Sequence, residues 1–139
     1  MMRARLLTGM GWLVLAGLAP ACGGAISNHD NRIFTTTASA KLATAELSLG
    51  YVLNPKAADD LYRGHVIEVS GVVATVEAAS NRLVMLGSDP VVWASLHDDV
   101  AAEVLKTVTQ GQRVTLKCFC EGLDTQVHLK SCVLPDDSR

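Results

Sequence analysis

The sequence has few aromatic residues and no excess of positive charge. Aromatic residues make up 4% of its 139 positions, which leaves little material for base-stacking platforms or aromatic cages. The formal net charge is −2, which argues against a protein whose main role is to coat nucleic acid. Hydrophobic residues account for 49% and charged residues for 19%, so the chain is not of the disordered class. Its length allows one compact domain.

Motifs of the common catalytic sites are also missing. The chain contains no G-x-S-x-G, H-E-x-x-H or P-loop sequence. Its carboxylate pairs, at residues 59–60 and 98–99, are neighbours in sequence, and neighbours on a helix point apart. His65, His97 and His128 lie in or beside predicted regular elements, where surface or capping roles are more common than general-base roles. We therefore predict a protein that is not an enzyme and has no cofactor or metal.

The N-terminus has the three parts of an export signal. Arg3 and Arg5 supply the positive charge, residues 6–18 are apolar, and residues 19–21 are Ala-Pro-Ala, a small-residue cleavage site. The apolar run would form a helix of about 20 Å, shorter than the roughly 30 Å hydrocarbon core of a bilayer. The pattern therefore favours a signal peptide at residues 1–21 over a transmembrane anchor.

Cys22 lies directly after this signal and is followed by two glycines. The junction resembles a bacterial lipobox, in which the Cys is acylated and becomes the first residue of the mature protein. A lipobox usually has Leu three places before the Cys, whereas this chain has Ala19 there and Leu18 one step further back. Cleavage after Ala21 without acylation would instead release a soluble protein. We predict lipidation at Cys22 and hence a membrane partner through the lipid anchor. Gly23 lacks the Asp of an inner-membrane retention signal, so we expect a bacterial cell-envelope protein at the outer membrane, facing the periplasm.

The mature chain opens with a polar stretch that has no hydrophobic period. Residues 22–37 are rich in Asn, Asp, Ser and Thr, which favour turns, so they are predicted to carry the lipidated Cys on a flexible tether. Residues 38–62 are predicted as a helical segment, with one helix over 38–53 and a short one over 56–62. The apolar face of the first helix is predicted to consist of Leu42, Ala45, Leu49 and Val52.

From residue 63 onward the hydrophobic period changes to two. Strands are predicted at residues 65–76, 82–86, 91–96, 112–120 and 126–134, with a helix over 98–109. A change of parity at Gly71 predicts a β-bulge that bends the first strand. The predicted fold is mainly β, a five-stranded OB-fold Greek-key barrel over residues 63–134 with a helix between strands 3 and 4, preceded by an N-terminal helix. Residues 135–139 form a C-terminal tail. The alternative is an open α+β sandwich.

Several short motifs follow one another in a recognisable order. They are Tyr51-x-x-Asn54, Ala58-Asp59-x-x-Tyr62-x-Gly64, Val69-x-Gly71-Val72-Val73, Gly111-x-x-Val114-Thr115, Cys120-x-Gly122 and Leu129-x-x-Cys132. Over about residues 42–134 the chain resembles the bacterial OB-fold lipoproteins called tRNA_anti-like. That name reflects a fold similarity to anticodon-binding domains, and the family has no agreed activity. This chain departs from the family pattern in having Trp93 where a Cys is expected, and in having an extra Cys118.

The resemblance implies a disulfide between Cys120 and Cys132. The fourth and fifth strands are neighbours in an OB-fold, so the pair is within reach. Closing a loop of about a dozen residues would stabilise the fold by roughly 3 kcal/mol. Cys118 would then be a buried hydrophobic residue. The three cysteines and His128 also form a Cys₃His set, but the C-x-C spacing lacks the usual C-x₂-C form, so a zinc site is not favoured.

The open face of the predicted barrel is the expected ligand face. The barrel has six Lys and Arg residues against eight Asp and Glu residues, which is not a positive groove, so nucleic acid is not the expected partner. Trp93 is the one aromatic residue predicted on this face, and Arg82 lies on the neighbouring strand. We predict a non-catalytic envelope module that binds a protein or glycan partner, with Trp93 and Arg82 as candidate ligand-binding residues. Binding of single-stranded nucleic acid is the alternative.

Overall fold

The computed structural model describes residues 26–85 and 89–136. The predicted signal peptide and Cys22 lie outside these residues. The strands are β1 (Ala40–Ala43), β2 (Val66–Glu77), β3 (Arg82–Met85), β4 (Val92–Leu96), β5 (Arg113–Leu123) and β6 (Val127–Val133). The helices are α1 (Thr44–Leu53), α2 (Pro55–Tyr62) and α3 (Ala101–Thr107), with 3₁₀ turns at Asn31–Phe34 and Ala78–Ser80. None of the helices among these residues is long and apolar enough to cross a bilayer.

The sheet closes into a barrel around β2, the longest strand. β2 pairs with β5 along its first half and with β3 along its second half, and the chain of pairings β3–β4–β6–β5 completes the circle. β4 and β6 run parallel, and the other pairs within the barrel are antiparallel. α3 lies between β4 and β5 in sequence. This is the predicted five-stranded OB-fold with its helix between the third and fourth barrel strands, and the prediction is confirmed.

A sixth strand lies outside the predicted barrel. β1 pairs in parallel with residues 67–70 of β2, at the edge that β3 leaves open. The predicted helix over 38–53 is therefore wrong at its start. Residues 40–43 have helix-forming side chains, but their backbone groups gain partners on the open edge of β2, and tertiary hydrogen bonds override a weak local preference. The helix begins at Thr44, where the Glu46 carboxylate accepts a hydrogen bond from the Ala43 amide at 2.9 Å.

The predicted buried face of the first helix is also wrong. α1 buries Leu47, Ser48 and Tyr51 against the barrel, whereas Leu49 and Val52 are 49% and 54% exposed. The outer side of α1 is thus nearly as apolar as the inner side, so the apolar period alone could not select the buried face. Polar partners decide it, since the Ser48 hydroxyl donates to the Pro90 carbonyl at 2.8 Å and the Tyr51 hydroxyl lies among buried groups of the barrel.

The β-bulge predicted at Gly71 is wrong, because the inward-facing positions do not change parity there. Val69, Gly71 and Val73 all face inward, and the register shift between β2 and β3 falls between Val73 and Thr75. Gly71 is required for a different reason. A Cβ atom at this position would lie 2.3 Å from Oγ1 and 2.9 Å from Cγ2 of Thr44, so the missing side chain lets α1 begin directly on the strand.

The segment predicted as a flexible tether is docked on the barrel from residue 26 onward. Ile33 and Phe34 of the 3₁₀ turn are buried in the core. Ser131 of β6 holds the preceding residues, because its amide donates to the Asn28 side-chain oxygen at 3.1 Å and its hydroxyl accepts from the Asp30 amide at 3.2 Å. The tether prediction is therefore wrong for residues 26–37. The polar composition predicts turns without a fixed partner, whereas these residues form hydrogen bonds with the barrel.

The disulfide joins Cys118 and Cys132, with Cα atoms 4.2 Å apart, and not Cys120 and Cys132. The cause is an irregularity in β6. Ser131 has a φ of 53°, and the β5–β6 register shifts at this point. Strict alternation would place Cys132 on the same side as His128, but the extra residue turns it inward toward Cys118. Cys120 is opposite Leu129 and remains a free, buried thiol.

Candidate functional site

One outer surface of the barrel is formed by side chains of β3, β4 and β6. We call it the Trp93 face and define it as Arg82, Val84, Trp93 and His128. Val84 pairs with Trp93 across β3 and β4, and Trp93 pairs with His128 across β4 and β6. Arg82 is two residues from Val84 and therefore on the same side of the strand. Burial alternates along β3, with Arg82 and Val84 partly exposed and their neighbours buried.

Arg82 and Trp93, the two predicted ligand residues, are in direct contact. The Arg82 guanidinium carbon lies 3.9 Å from the centroid of the Trp93 ring, which is a cation–π geometry. Glu77 orients the guanidinium, since its Oε1 atom accepts from Arg82 Nε at 2.6 Å and also contacts Nη2. The pair therefore presents a flat, pre-oriented group whose charge is balanced by a neighbouring carboxylate. Such a surface suits stacking and hydrogen bonding better than attraction of a polyanion.

His128 links the Trp93 face to a cleft at the end of β5. Its ring meets Trp93 edge-on, with centroids 5.4 Å apart and an interplanar angle of 74°. The cleft has a volume of about 690 Å³. It is lined by Ile26, Arg32, Arg63, Gly64, Cys120, Glu121, Gly122, Leu123, Asp124 and His128. The sequence gives no signal for this cleft, because two of its walls, Ile26 and Arg32, belong to the predicted tether.

The two arginines of the cleft are each paired with a carboxylate beside it. Arg32 donates to both oxygens of Asp30, and this hydrogen bonding holds the pKa of the Asp30 carboxyl below its usual value and raises the pKa of Arg32. The Arg32 guanidinium also lies over the Phe119 ring, at 5.1 Å. Arg63 lies 3.8 Å from Asp59. The cleft thus offers both signs of charge at its rim, without a strong excess of either.

The Cys120 thiol forms part of the inner wall of the cleft. The Tyr51 hydroxyl donates to Asp59 Oδ1 at 2.9 Å and lies 3.5 Å from Cys120 Sγ. Because the single phenol proton is used by the carboxylate, the thiol is the donor in the second contact. Burial raises the pKa of Cys120, and it raises the pKa of Tyr51 as well. Both groups are therefore protonated at neutral pH, and the thiol is not an activated nucleophile.

The remaining candidates from the sequence have structural partners. His97 is buried, its Nε2 atom lies 2.9 Å from the Asn31 side-chain oxygen, and its Nδ1 atom accepts from the Asp99 amide at 3.0 Å. It joins the docked N-terminal segment to the end of β4. The Cys₃His set is divided, since Cys118 and Cys132 are bonded to each other. Within residues 26–85 and 89–136, no group of three or more His, Cys, Asp or Glu side chains is arranged to hold a metal ion.

The sequence profile of the tRNA_anti-like family matches residues 6–133, which is most of the chain and includes both the Trp93 face and the cleft. The chain belongs to the tRNA_anti-like family. No curated protein matches the sequence. Among solved structures, the chain is similar to a lipoprotein from Klebsiella pneumoniae that is described as a candidate nucleic acid-binding protein, with 16% identity and a TM-score of 0.56. The alignment covers 75% of this chain and 95% of that one, and it shows a shared fold.

The motif residues that this tRNA_anti-like chain shares with its family serve mainly to build the scaffold. Asn54 caps α2, since its side-chain oxygen accepts from the Ala57 amide at 3.1 Å. Gly64 and Gly122 adopt φ values of 79° and 103°, which other residues rarely adopt, at two points beside the cleft. The family signature therefore fixes the shape of the cleft and leaves the chemistry of the Trp93 face to residues outside the signature.

Proposed function

We propose that this protein is an exported, lipid-anchored and non-catalytic OB-fold module of the bacterial cell envelope. Its Trp93 face and the adjoining cleft bind a protein or glycan partner. The observation that carries the proposal is the stacked Arg82–Trp93 pair on the face that OB-folds use for ligands. A partly exposed indole next to a guanidinium is a surface typical of sugar and protein contacts, where Trp and Arg are enriched.

The charge of the site supports a neutral partner over a polyanion. Glu77 balances Arg82, and the two arginines of the cleft have carboxylate partners of their own. A nucleic-acid groove would present such groups unpaired along the phosphate path. The protonated Cys120 thiol is not an activated nucleophile, which supports a binding role for the cleft.

The lipid anchor rests on the sequence around Cys22 and on the likeness to a protein described as a lipoprotein. Its test is incorporation of radiolabelled palmitate followed by membrane fractionation, with Cys22→Ser as the control. We expect label and membrane association in the wild type and neither in the variant. An unlabelled, soluble wild-type protein would refute the anchor and point to cleavage after Ala21.

The binding face is tested with Arg82→Ala and Trp93→Ala, each compared with Lys106→Ala on α3. We expect both face variants to lose capture of the envelope partner while a thermal melt shows that they remain folded. Lys106 is exposed and outside the face, so its variant should bind normally. If Trp93→Ala only lowers Tm and partner capture is intact, Trp93 has a packing role and the proposed face is wrong.

Single-stranded nucleic acid is the second candidate partner. Two observations favour it, namely the arginine stacked on an indole and the description of the Klebsiella protein as a candidate nucleic acid-binding lipoprotein. The test is a titration with a fluorescent single-stranded oligonucleotide at low and high salt. Binding that weakens with salt and is lost in Arg82→Ala would favour this candidate. No binding at low salt would eliminate it.

A further inference from the structure

The docked N-terminal segment restricts how far the barrel can be from its anchor. The Ile26 amide donates to Glu121 Oε2 at 2.9 Å, and the Ser131 hydroxyl donates to the carbonyl of Ser27. Three residues after Ser27, Asp30 caps the 3₁₀ turn whose Ile33 is fully buried. The chain is therefore fixed to β5 and β6 from Ile26 onward and cannot serve as a long tether.

Four peptide units separate Cys22 from Ile26. A fully extended chain spans at most about 3.6 Å per residue, so these units reach about 14 Å. A tether extending to residue 37 would have allowed several times that distance. If Cys22 carries the lipid, the end of the barrel next to Ile26 is held within about 14 Å of the lipid attachment point, at the membrane surface.

The chemistry of this end fits a lipid surface. Ile26 and Leu123 line the cleft together with Arg32 and Arg63, and the arginine side chains are 71% and 58% exposed. Leu61, at the end of α2 and two residues before Arg63, is 62% exposed. Apolar side chains beside flexible cationic ones are typical of protein surfaces at the bilayer interface, where arginine reaches lipid phosphates.

Acidic side chains are present at the same end. Glu121 accepts a hydrogen bond from the Ile26 amide, and Asp124 lies at the β5–β6 turn. Asp30 and Asp59 form ion pairs with the two arginines. Electrostatic attraction alone would not hold such a surface on a membrane. The short anchor is what brings it there, and the paired arginines then lie among zwitterionic headgroups, which carry both signs of charge.

We propose that the end of the barrel formed by Ile26, the β5–β6 turn and the cleft rests on the membrane surface, with Arg32 and Arg63 at the level of the lipid phosphates. This inference rests on the proposed lipid anchor at Cys22. It adds an orientation to that proposal, because the cleft and the adjoining Trp93 face are then presented next to the bilayer. The partner must therefore reach the membrane surface.

The test measures which end of β5 is near the lipid. The lipidated mature protein, which has lost Trp12 with the signal peptide, is reconstituted into phosphatidylcholine vesicles that contain lipids with a nitroxide on the headgroup, which quench nearby tryptophan. Two single-tryptophan proteins are compared, both carrying Trp93→Phe, with either Thr125→Trp at the turn or Arg113→Trp at the other end. β5 runs from Arg113 to Leu123, so the two positions are separated by roughly 30 Å. We expect strong quenching at Thr125→Trp and none above background at Arg113→Trp.

Two further measurements keep the inference falsifiable. An insertion of about 20 Gly and Ser residues after Gly24 should abolish the difference, since such a linker is a flexible coil. If a tryptophan variant does not fold, hydrogen exchange of the wild-type protein replaces the quenching measurement. We then expect vesicle binding to slow amide exchange at residues 123–126 and to leave it unchanged at residues 109–112. Wild-type protein without label at Cys22 or without vesicle binding would overturn the anchor and the orientation together. Vesicle-bound protein with equal quenching or equal exchange at both ends would overturn the orientation alone.

Discussion

Replacing Gly71 by alanine should destabilise the fold through a single steric contact. The new Cβ would lie 2.3 Å from Thr44 Oγ1 and 2.9 Å from Thr44 Cγ2, both closer than real side chains approach. Overpacking of this kind costs about 1–3 kcal/mol. Replacement of glycine within a strand recovers about 0.5–1 kcal/mol of that cost. The net loss should be about 1 kcal/mol, which lowers the midpoint of urea unfolding by roughly 0.5 M.

Gly50 supplies the matched control for this experiment. It lies within α1 with nothing within 4 Å of its Cβ position, so Gly50→Ala should stabilise the protein by up to about 1 kcal/mol. Thr44→Ala removes the two closest atoms, and the double variant with Gly71→Ala should unfold at a higher urea concentration than additivity predicts. Circular dichroism follows unfolding with the disulfide intact. A Gly71→Ala protein as stable as wild type, or strictly additive double variants, would refute this account of Gly71.

Two other predictions concern the cysteines and the docked segment. Peptide mapping without reduction should recover Cys118 linked to Cys132, and a Cys120–Cys132 peptide would contradict the structure. The double variant Cys118→Ala, Cys132→Ala should lower the free energy of unfolding by about 3 kcal/mol, as expected for a separation of 14 residues. The hydrogen bond from Arg32 lowers the pKa of Asp30 below 3.8, so its stabilising effect is fully present above that pH and is lost as the pH falls through the lowered pKa. The amide protection factors of residues 26–37, which are corrected for the intrinsic exchange rate, should therefore be constant from pH 7 down to about 5 and should fall in strong acid. A fall that already occurs between pH 7 and 5 would contradict this assignment.

The barrel could be predicted from the sequence because its strands have strong local signals. Alternating apolar residues mark β2, β5 and β6, and the apolar repeat that contains Val104 and Val108 marks the helix between β4 and β5. The errors occur where a distant partner decides the local structure. Residues 40–43 become a strand because β2 has an open edge, and the polar residues before Ile33 dock because Ser131 offers hydrogen bonds.

The site could be predicted only in part for the same reason. Arg82 and Trp93 lie on neighbouring strands, so their contact follows from the order of the strands once the barrel is assumed. The cleft needs Ile26 beside Glu121, which no local pattern indicates. The disulfide needs the positive φ of Ser131, and a single irregular residue reverses the face of Cys132. An alternating hydrophobic pattern gives no indication of a one-residue shift of this kind.

The most direct test of the proposed function is photo-crosslinking from the Trp93 face in living cells. Benzoylphenylalanine replaces Val84, which lies between Thr75 and Trp93 on the outer surface, or Lys106 on α3 as the control. We expect one dominant envelope adduct from Val84 that is absent from Lys106 and is lost when Trp93→Ala is added to a protein that remains folded. Equal adducts from both positions, or an adduct from Val84 that persists in Trp93→Ala, would contradict it.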